Sequence, residues 1–269
     1  MSISGSSIAS HMKQAAMDLA PSLWVRWHLM RRPRSAEIEL SLLKRIVEPT
    51  EITIDVGANV GLYTRTLAHL SSTVHAFEPS SATADKLRRT SARNVIVHEI
   101  ALSDEEGRAE LRIPRDGAHL TYGLGSIEPG VAAGHGDVKV EKVERRRLDS
   151  VISDAVSFVK IDVEGHELSV LRGASGLIEK CRPVFLVEAE NRHLAGATAS
   201  LFQFFRNANY EGYFLRDHEV CGIDTFDPER DQDQRALLDD GGRANGRYYI
   251  NNFFFFPAGR DGQRILTGS

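Results

Sequence analysis

Two clusters of residues in this 269-residue chain have types and spacings that could do chemistry. The first is Asp55-Val-Gly57-Ala-Asn59-Val-Gly61, answered by Glu78 in His75-Ala-Phe-Glu-Pro79. The apolar run from Ile52 reads as a buried strand, the glycines as a tight turn into a helix, and Glu78 as a carboxylate closing the next strand. A parallel βαβ unit of this kind leaves a crevice beside its first turn. An acid about 20 residues further on can then accept hydrogen bonds from both hydroxyls of a ribose. The second cluster is Phe158-Val-Lys-Ile-Asp162-Val-Glu164-Gly-His166-Glu167. Its strand delivers Asp162, Glu164 and His166 to the carboxyl end, where open α/β sheets bind ligands. Glu167 reads differently, as an acid that favours a helix N-terminus.

The turn itself narrows the kind of nucleoside. A dinucleotide fold calls for G-x-G-x-x-G, which lets backbone and helix N-terminus cradle a pyrophosphate. Here Asn59 stands where D/E-x-G-x-G-x-G turns usually carry their middle glycine, and asparagine tolerates left-handed backbone angles. Asp55 would repel a pyrophosphate but suits a cationic amino-acid group. S-adenosyl-L-methionine carries an ammonium, a sulfonium and a ribose, with no phosphate. Two other readings stand beside it: an NAD-dependent oxidoreductase, and a catalytically silent cofactor-binding scaffold.

Methyl transfer to oxygen would need in-line alignment of oxygen, methyl and sulfur, and a base for a weakly nucleophilic hydroxyl. His166 is the first candidate by type, followed by Glu164 and Asp162, although a histidine at a strand–helix junction is often a satisfied structural group. His119 and His135 are alternatives if their loop folds over the site. Asp162 with Glu188, Glu190 or Asn191 could offer oxygens to Mg²⁺, but nothing here requires a metal and none is expected.

These residues need strands to carry them. Short apolar runs predict strands at 52–56, 73–77, 95–99, 157–161 and 183–188, with helices at 60–70, 81–91 and 166–179 between them. Such alternation implies a doubly wound, mostly parallel α/β sheet. Strand-like 109–113 and 138–143 read as a hairpin carrying a long loop, 114–137, of the kind that forms lids or binding loops. A helix at 198–208, a strand at 210–215 and a last strand ending in Phe253-Phe-Phe-Phe256 follow. Four consecutive phenylalanines suit a strand buried on both faces. The polar stretch 217–245 is expected to be mobile.

At the other end, residues 1–34 read as a polar tail and a helical extension containing Trp24 and Trp27. A helix over 35–47 then opens the main domain, 35–269. The tryptophan segment would pack on the domain's flank, and it leaves peripheral contact with a membrane surface open. A net charge of −4 argues against nucleic acid as a partner. Cys181 and Cys221, without metal-ligand spacing, read as free thiols in a reducing compartment, and the cytoplasm is the expected location.

Six pieces, in order over residues 45–190, resemble the FkbM-type family of S-adenosylmethionine-dependent methyltransferases. They are Ile54–Gly61, Ala76-Phe-Glu-Pro79, Ala101-Leu-Ser-Asp104 with Gly107, Lys160–Glu167, Val170-Leu-Arg-Gly-Ala174, and Arg182-Pro with Leu186-Val-Glu188. The resemblance implies the Rossmann-like class I methyltransferase sheet of seven strands, the last antiparallel. It also implies O-methylation of a hydroxyl on a sugar, glycolipid or polyketide-like small molecule. On that basis Asp55, Gly57, Asn59 and Gly61 would wrap the methionine part of the cofactor and Glu78 would hold the ribose. Ala101 and Leu102 would border the adenine, and Asp162 would lie near the ammonium or the reacting methyl.

Overall fold

The computed structural model describes residues 38–116, 119–128, 131, 137–237 and 248–268. The segment with Trp24 and Trp27, and His135 in the long loop, lie outside the described residues, as does the side chain of His119. Of the helix expected over 35–47, the described part is a helix at Ile38–Leu42 and a 3-10 turn at Leu43–Arg45.

The strands are, in chain order, β1 (Ile52–Val56), β2 (Thr73–Phe77), β3 (Val95–His98), β4 (Ala101–Leu102), β5 (Gly107–Asp116), β6 (His119–Leu120), β7 (Val138–Arg146), β8 (Val156–Ile161), β9 (Val184–Glu188), β10 (Tyr210–Arg216), β11 (Glu219–Gly222) and β12 (Asn252–Pro257). Each of the five strands expected between 52 and 188 forms, with ends within one residue of expectation. The main sheet has the order β11-β10-β12-β9-β8-β1-β2-β3. β1 pairs in parallel with both β2 and β8. Successive strands thus run outward from β1 in one direction and from β8 in the other, which makes the β1/β8 boundary the switch point where such sheets bind ligands.

Seven of these strands follow the expected arrangement, with β12 antiparallel to both of its neighbours. The eighth, β11, is an addition. It folds back on β10 through Asp217 and His218, which both take left-handed angles (φ 49° and 70°), as a two-residue hairpin turn demands. The stretch 217–245 is therefore not uniformly mobile as expected. Its described part holds β11, a short helix at Pro228–Asp231 and two 3-10 turns. Buried Asp231 fastens it by accepting from Arg216 Nη2 at 2.7 Å and Arg230 Nη2 at 2.8 Å.

Both faces of the main sheet are covered, so its strands can be apolar throughout. Val56, Ile161, Val187, Phe253 and Phe255 join one core with Leu171, Leu201 and Phe205. Phe158, Leu186, Phe254 and Phe256 join the other with Leu43, Leu67 and Leu266. The four phenylalanines alternate between these cores, and each is fully buried. A second sheet, β4-β7-β5-β6, carries the long antiparallel hairpin of β5 and β7. The helix expected over 166–179 is broken at Ala174 into Glu167–Gly173 and Ser175–Cys181. The chain runs so close there that a side-chain carbon on Gly173 would lie 1.9 Å from the Ser103 carbonyl oxygen.

Phe255 stacks on Phe205 with ring centroids 3.8 Å apart and planes 9° from parallel. Phe255→Ala should therefore cost about 3–5 kcal/mol, the usual range for emptying a buried aromatic site. Urea unfolding of wild type and variant measures it, and a loss under about 1 kcal/mol would mean that the core closes over the gap.

Candidate functional site

The turn after β1 and the turn after β8 meet backbone to backbone. The Asp162 N–H donates to the Val56 carbonyl at 3.0 Å. Gly57 has φ 78°, and a Cβ there would sit 1.8 Å from the Asp162 carbonyl oxygen, so only glycine fits. Asn59 adopts φ 48°, the left-handed angle anticipated for it. Its N–H donates to Glu78 Oε2 at 3.0 Å, while Ser80 N–H donates to Oε1 at 2.9 Å. Burial pushes the Glu78 carboxyl up to about 7 against these two hydrogen bonds.

A cleft with about 650 Å³ of unfilled space, part of it open to solvent, lies over the switch point. Of the residues picked from sequence, Gly57, Asn59, Glu78, Ala101, Leu102, Asp162, Glu164 and His166 all line it. Asp55 and Gly61 do not; they support the turn from behind. Asp55 is 2% exposed and accepts from Thr64 Oγ1 at 2.5 Å, and its burial outweighs that bond to push the carboxyl up to about 6. Gly61, at φ 87°, starts the helix Leu62–Leu70 where any side chain would press on Leu87. Its lining combines apolar side chains (Phe77, Ile100, Ala101, Leu102, Leu111 and Ile127) with the carboxylates of Glu78, Asp162 and Glu164. Among the described lining residues there is no Lys or Arg.

His166 is locked rather than free. Its Nδ1 lies 3.0 Å from Glu128 Oε2 and its Nε2 lies 2.9 Å from the hydroxyl oxygen of Ser103, which is fully buried. Taking a proton from an acceptor would mean breaking one of these bonds, so the geometry does not favour His166 as the base. Through Glu128 it is tied to the hairpin loop. That loop is also held by Ser126 Oγ donating to the Glu164 carbonyl at 2.8 Å, and by Val131 against Gly165. Tyr122, Gly123, Gly125 and Ile127 of the same loop line the cleft. Glu167 behaves as expected at a helix start, its Oε1 accepting from the Gly165 N–H at 2.8 Å.

Glu164 takes φ 51° and brings Oε2 within 2.8 Å of His193 Nε2, a charge contact without hydrogen-bond alignment. Burial opposes protonation of His193, but the carboxylates of Glu164 and Glu190 outweigh it and push the imidazole up to about 9. Burial would raise Glu190 as well. The charge of His193 and the bonds from Arg192 and Tyr249 win there and hold its carboxyl below the usual range. Sequence reasoning missed Ser103, Glu128 and buried Lys160. Only Lys160 left a trace, as a charge inside an otherwise apolar strand. Among the described residues, no three His, Cys, Asp or Glu side chains are placed to hold a metal ion, and no helix is long and apolar enough to cross a membrane.

A mostly parallel, doubly wound sheet with an acid-lined cleft at its switch point defines a Rossmann-like fold. The chain belongs to the FkbM methyltransferase family: the model of the methyltransferase FkbM domain matches residues 55–211. Its relatives include the hexuronic acid methyltransferase AglP of Haloferax volcanii, 29% identical over 64% of this chain and 70% of that protein. The 31-O-demethyl-FK506 methyltransferase FkbM of Streptomyces tacrolimicus is 32% identical over 47% of this chain and 60% of that one. Among solved structures, methyltransferase FkbM of Methylobacillus flagellatus aligns with TM-score 0.49 and 18% identity, covering 77% of this chain and 44% of that one.

Two outcomes follow for site residues. A Glu78 carboxyl raised to about 7 in the fold, from its ordinary 4.5, stabilises the protein below about pH 4.5. That contribution is lost as the pH climbs through about 7. Unfolding of wild type and Glu78→Gln at pH 4.5 and 8 should thus show the variant gaining on wild type by up to about 3 kcal/mol; a constant difference would contradict the raised value. His166→Ala should release the loop, with amide exchange at 121–128 at least about tenfold faster. Unchanged exchange would remove its anchoring role.

Proposed function

We propose that this chain is an S-adenosyl-L-methionine-dependent O-methyltransferase acting on a hydroxyl of a sugar, glycolipid or polyketide-like product. The observation that carries this reading is one cleft that brings together six site residues from the two sequence clusters with Ala101 and Leu102, and that mixes apolar side chains with three carboxylates. The donor set suits the cofactor. Each Glu78 oxygen accepts one backbone N–H, and an ionised carboxylate has about four acceptor positions, which leaves capacity for two ribose hydroxyls. Ile100, Ala101 and Leu102 would flank adenine. Gly57 and Asn59 would run along the methionine part, and Asp162 would counter the charge of its cationic end. When bound, the cofactor supplies an electrophilic methyl group on a sulfonium. The protein's part is to align the acceptor oxygen with it, to exclude water, and to take the hydroxyl proton.

Support for an oxygen acceptor comes from the relatives, one named for a hexuronic acid and the other for 31-O-demethyl-FK506. The oxidoreductase alternative is disfavoured by three carboxylates in a cleft whose described lining offers no cation to a pyrophosphate. The loop 114–137 would carry acceptor choice, because its described part lines the cleft.

Calorimetric titration with S-adenosyl-L-methionine, S-adenosylhomocysteine and NAD tests the cofactor. The two sulfur nucleosides should bind and NAD should not, and Glu78→Gln should weaken their binding at least about tenfold, as loss of hydrogen bonds to a charged group does. Labelled-methyl incorporation across a panel of uronic-acid glycosides, glycolipids and polyketides, against Asp162→Ala, tests catalysis. Binding without transfer to any acceptor would favour the scaffold reading.

A further inference from the structure

Beside Asp162 of the cleft lies a buried ammonium. Lys160 of β8 is 1% exposed at its side chain. Its Nζ lies 3.8 Å from Asp162 Oδ2 and 3.8 Å from Glu188 Oε2. It also donates to the Ile161 carbonyl at 3.2 Å and to Asn252 Oδ1 at 3.4 Å, with the Tyr63 ring 5.0 Å away. A buried charge is costly unless it is paired, and here the pairing is shared between two carboxylates on adjacent strand ends. Ile161 and Val187 are register partners, so Asp162 and Glu188 leave β8 and β9 side by side.

The other rim groups are already committed. His166 has a partner on each nitrogen. Glu164 faces His193, and Glu190 is 3% exposed and bound by Arg192 and Tyr249. Asp162 and Glu188 keep side-chain exposures of 33% and 23%. Asp162 lines the cleft where the cofactor's cationic end would lie. Glu188, with Oε1 held by Asn251 Nδ2 at 2.6 Å, stands next to it on the rim, just outside the residues that line the cleft.

We propose that Glu188 is the proton acceptor for methyl transfer and that Lys160 is the positioning residue that keeps it aimed and ionisable. This inference rests on the methyltransferase reading above. In the step, the acceptor O–H bond breaks and its proton passes to the Glu188 carboxylate, while that oxygen forms the new O–CH₃ bond. The S–CH₃ bond breaks, its electron pair stays on sulfur, and the sulfonium becomes a thioether. The charged and titratable groups that face Glu188 are Lys160, Asp162, Glu164, Glu190, Tyr63 and Tyr249. Burial and three of these carboxylates push its carboxyl up, and Lys160 pulls it down. Burial wins and the net direction is well upward, so this base is protonated in acid and becomes competent only as the pH rises, with Lys160 limiting how far.

The test uses the full chain with whichever panel acceptor wild type methylates. Glu188→Gln keeps the shape of the side chain and should lower kcat about 100-fold or more, with S-adenosylhomocysteine affinity within about threefold of wild type. Lys160→Met should move the acidic limb of the pH–kcat profile to higher pH, and Lys160→Arg should restore it. Retention of more than a third of kcat in Glu188→Gln would overturn the proposal, and so would an unmoved limb in folded Lys160→Met. If Lys160→Met does not fold, Glu188→Gln decides alone. Failure of wild type to bind S-adenosylhomocysteine is a different result, which removes the functional reading and this inference with it.

Discussion

The Val56 carbonyl accepts from the Asp162 N–H at 3.0 Å, and a methyl group on Gly57 would lie 1.8 Å from the Asp162 carbonyl oxygen. This contact joins two turns about 100 residues apart in sequence and sets the floor of the cleft. Because β1 and β8 are parallel neighbours, both turns emerge at the same edge of the sheet, and the shared register fixes how far each projects. Asn59 can then offer its N–H to Glu78, and Asp162 can face the cavity, without either loop having to be ordered by a ligand. The left-handed angles at Gly57, Asn59 and Gly61 are the conformational cost of folding so tight a turn into so small a space.

The same closeness concentrates charge. Asp55, Glu78, Glu167 and Glu188 are all pushed up by burial. The fold offsets this cost locally and differently at each position. Asp55 is stabilised by one hydroxyl, Glu78 by two backbone donors, Glu167 by the start of its own helix, and Glu188 by a buried ammonium and an asparagine. Glu190, by contrast, is surrounded by so many donors that it is held firmly ionised. Two carboxylates on neighbouring positions of one rim thus have opposite tendencies. Separation of this kind is what permits one group to hold charge while the other exchanges a proton.

What could be read from sequence follows from what is local. Strands β1, β2, β8 and β9 announce themselves because apolar runs of four to six residues between turn signals have few other fates. The run Phe253–Phe256 declares a strand covered on both sides for the same reason. Glu78 was legible because the spacing from β1 through a helix to the end of β2 is nearly fixed. The break at Ala174 was not legible, since it arises from the approach of Gly173 to Ser103 from another part of the chain. β11 was hidden by its Asp217-His218 turn, which has the required left-handed angles without the usual glycine. His166 shows the limit most clearly. Residue type and position made it a candidate base, yet the two groups that hold its ring, Ser103 and Glu128, lie 63 and 38 positions away.

That last contact links the hairpin insertion to the carboxyl end of the sheet. β5 and β7 extend away from the main sheet, and their connecting loop returns to place Tyr122, Gly123 and Ile127 against the cleft. Without a fastening, such a long excursion would lose its position, because closing a loop of that length leaves the tip many conformations. Glu128 and Ser126 provide the fastening on one side, and the fit of Gly123, whose Cβ would lie 3.0 Å from Asn59 Nδ2, provides it on the other. The insertion is therefore tied to both of the turns that form the floor. A change in loop sequence that preserves these ties could alter the wall facing an acceptor and leave the floor as it is. On the proposed reading, the two jobs of the cleft, holding a nucleoside and choosing what receives the methyl group, would fall to separable parts of the chain.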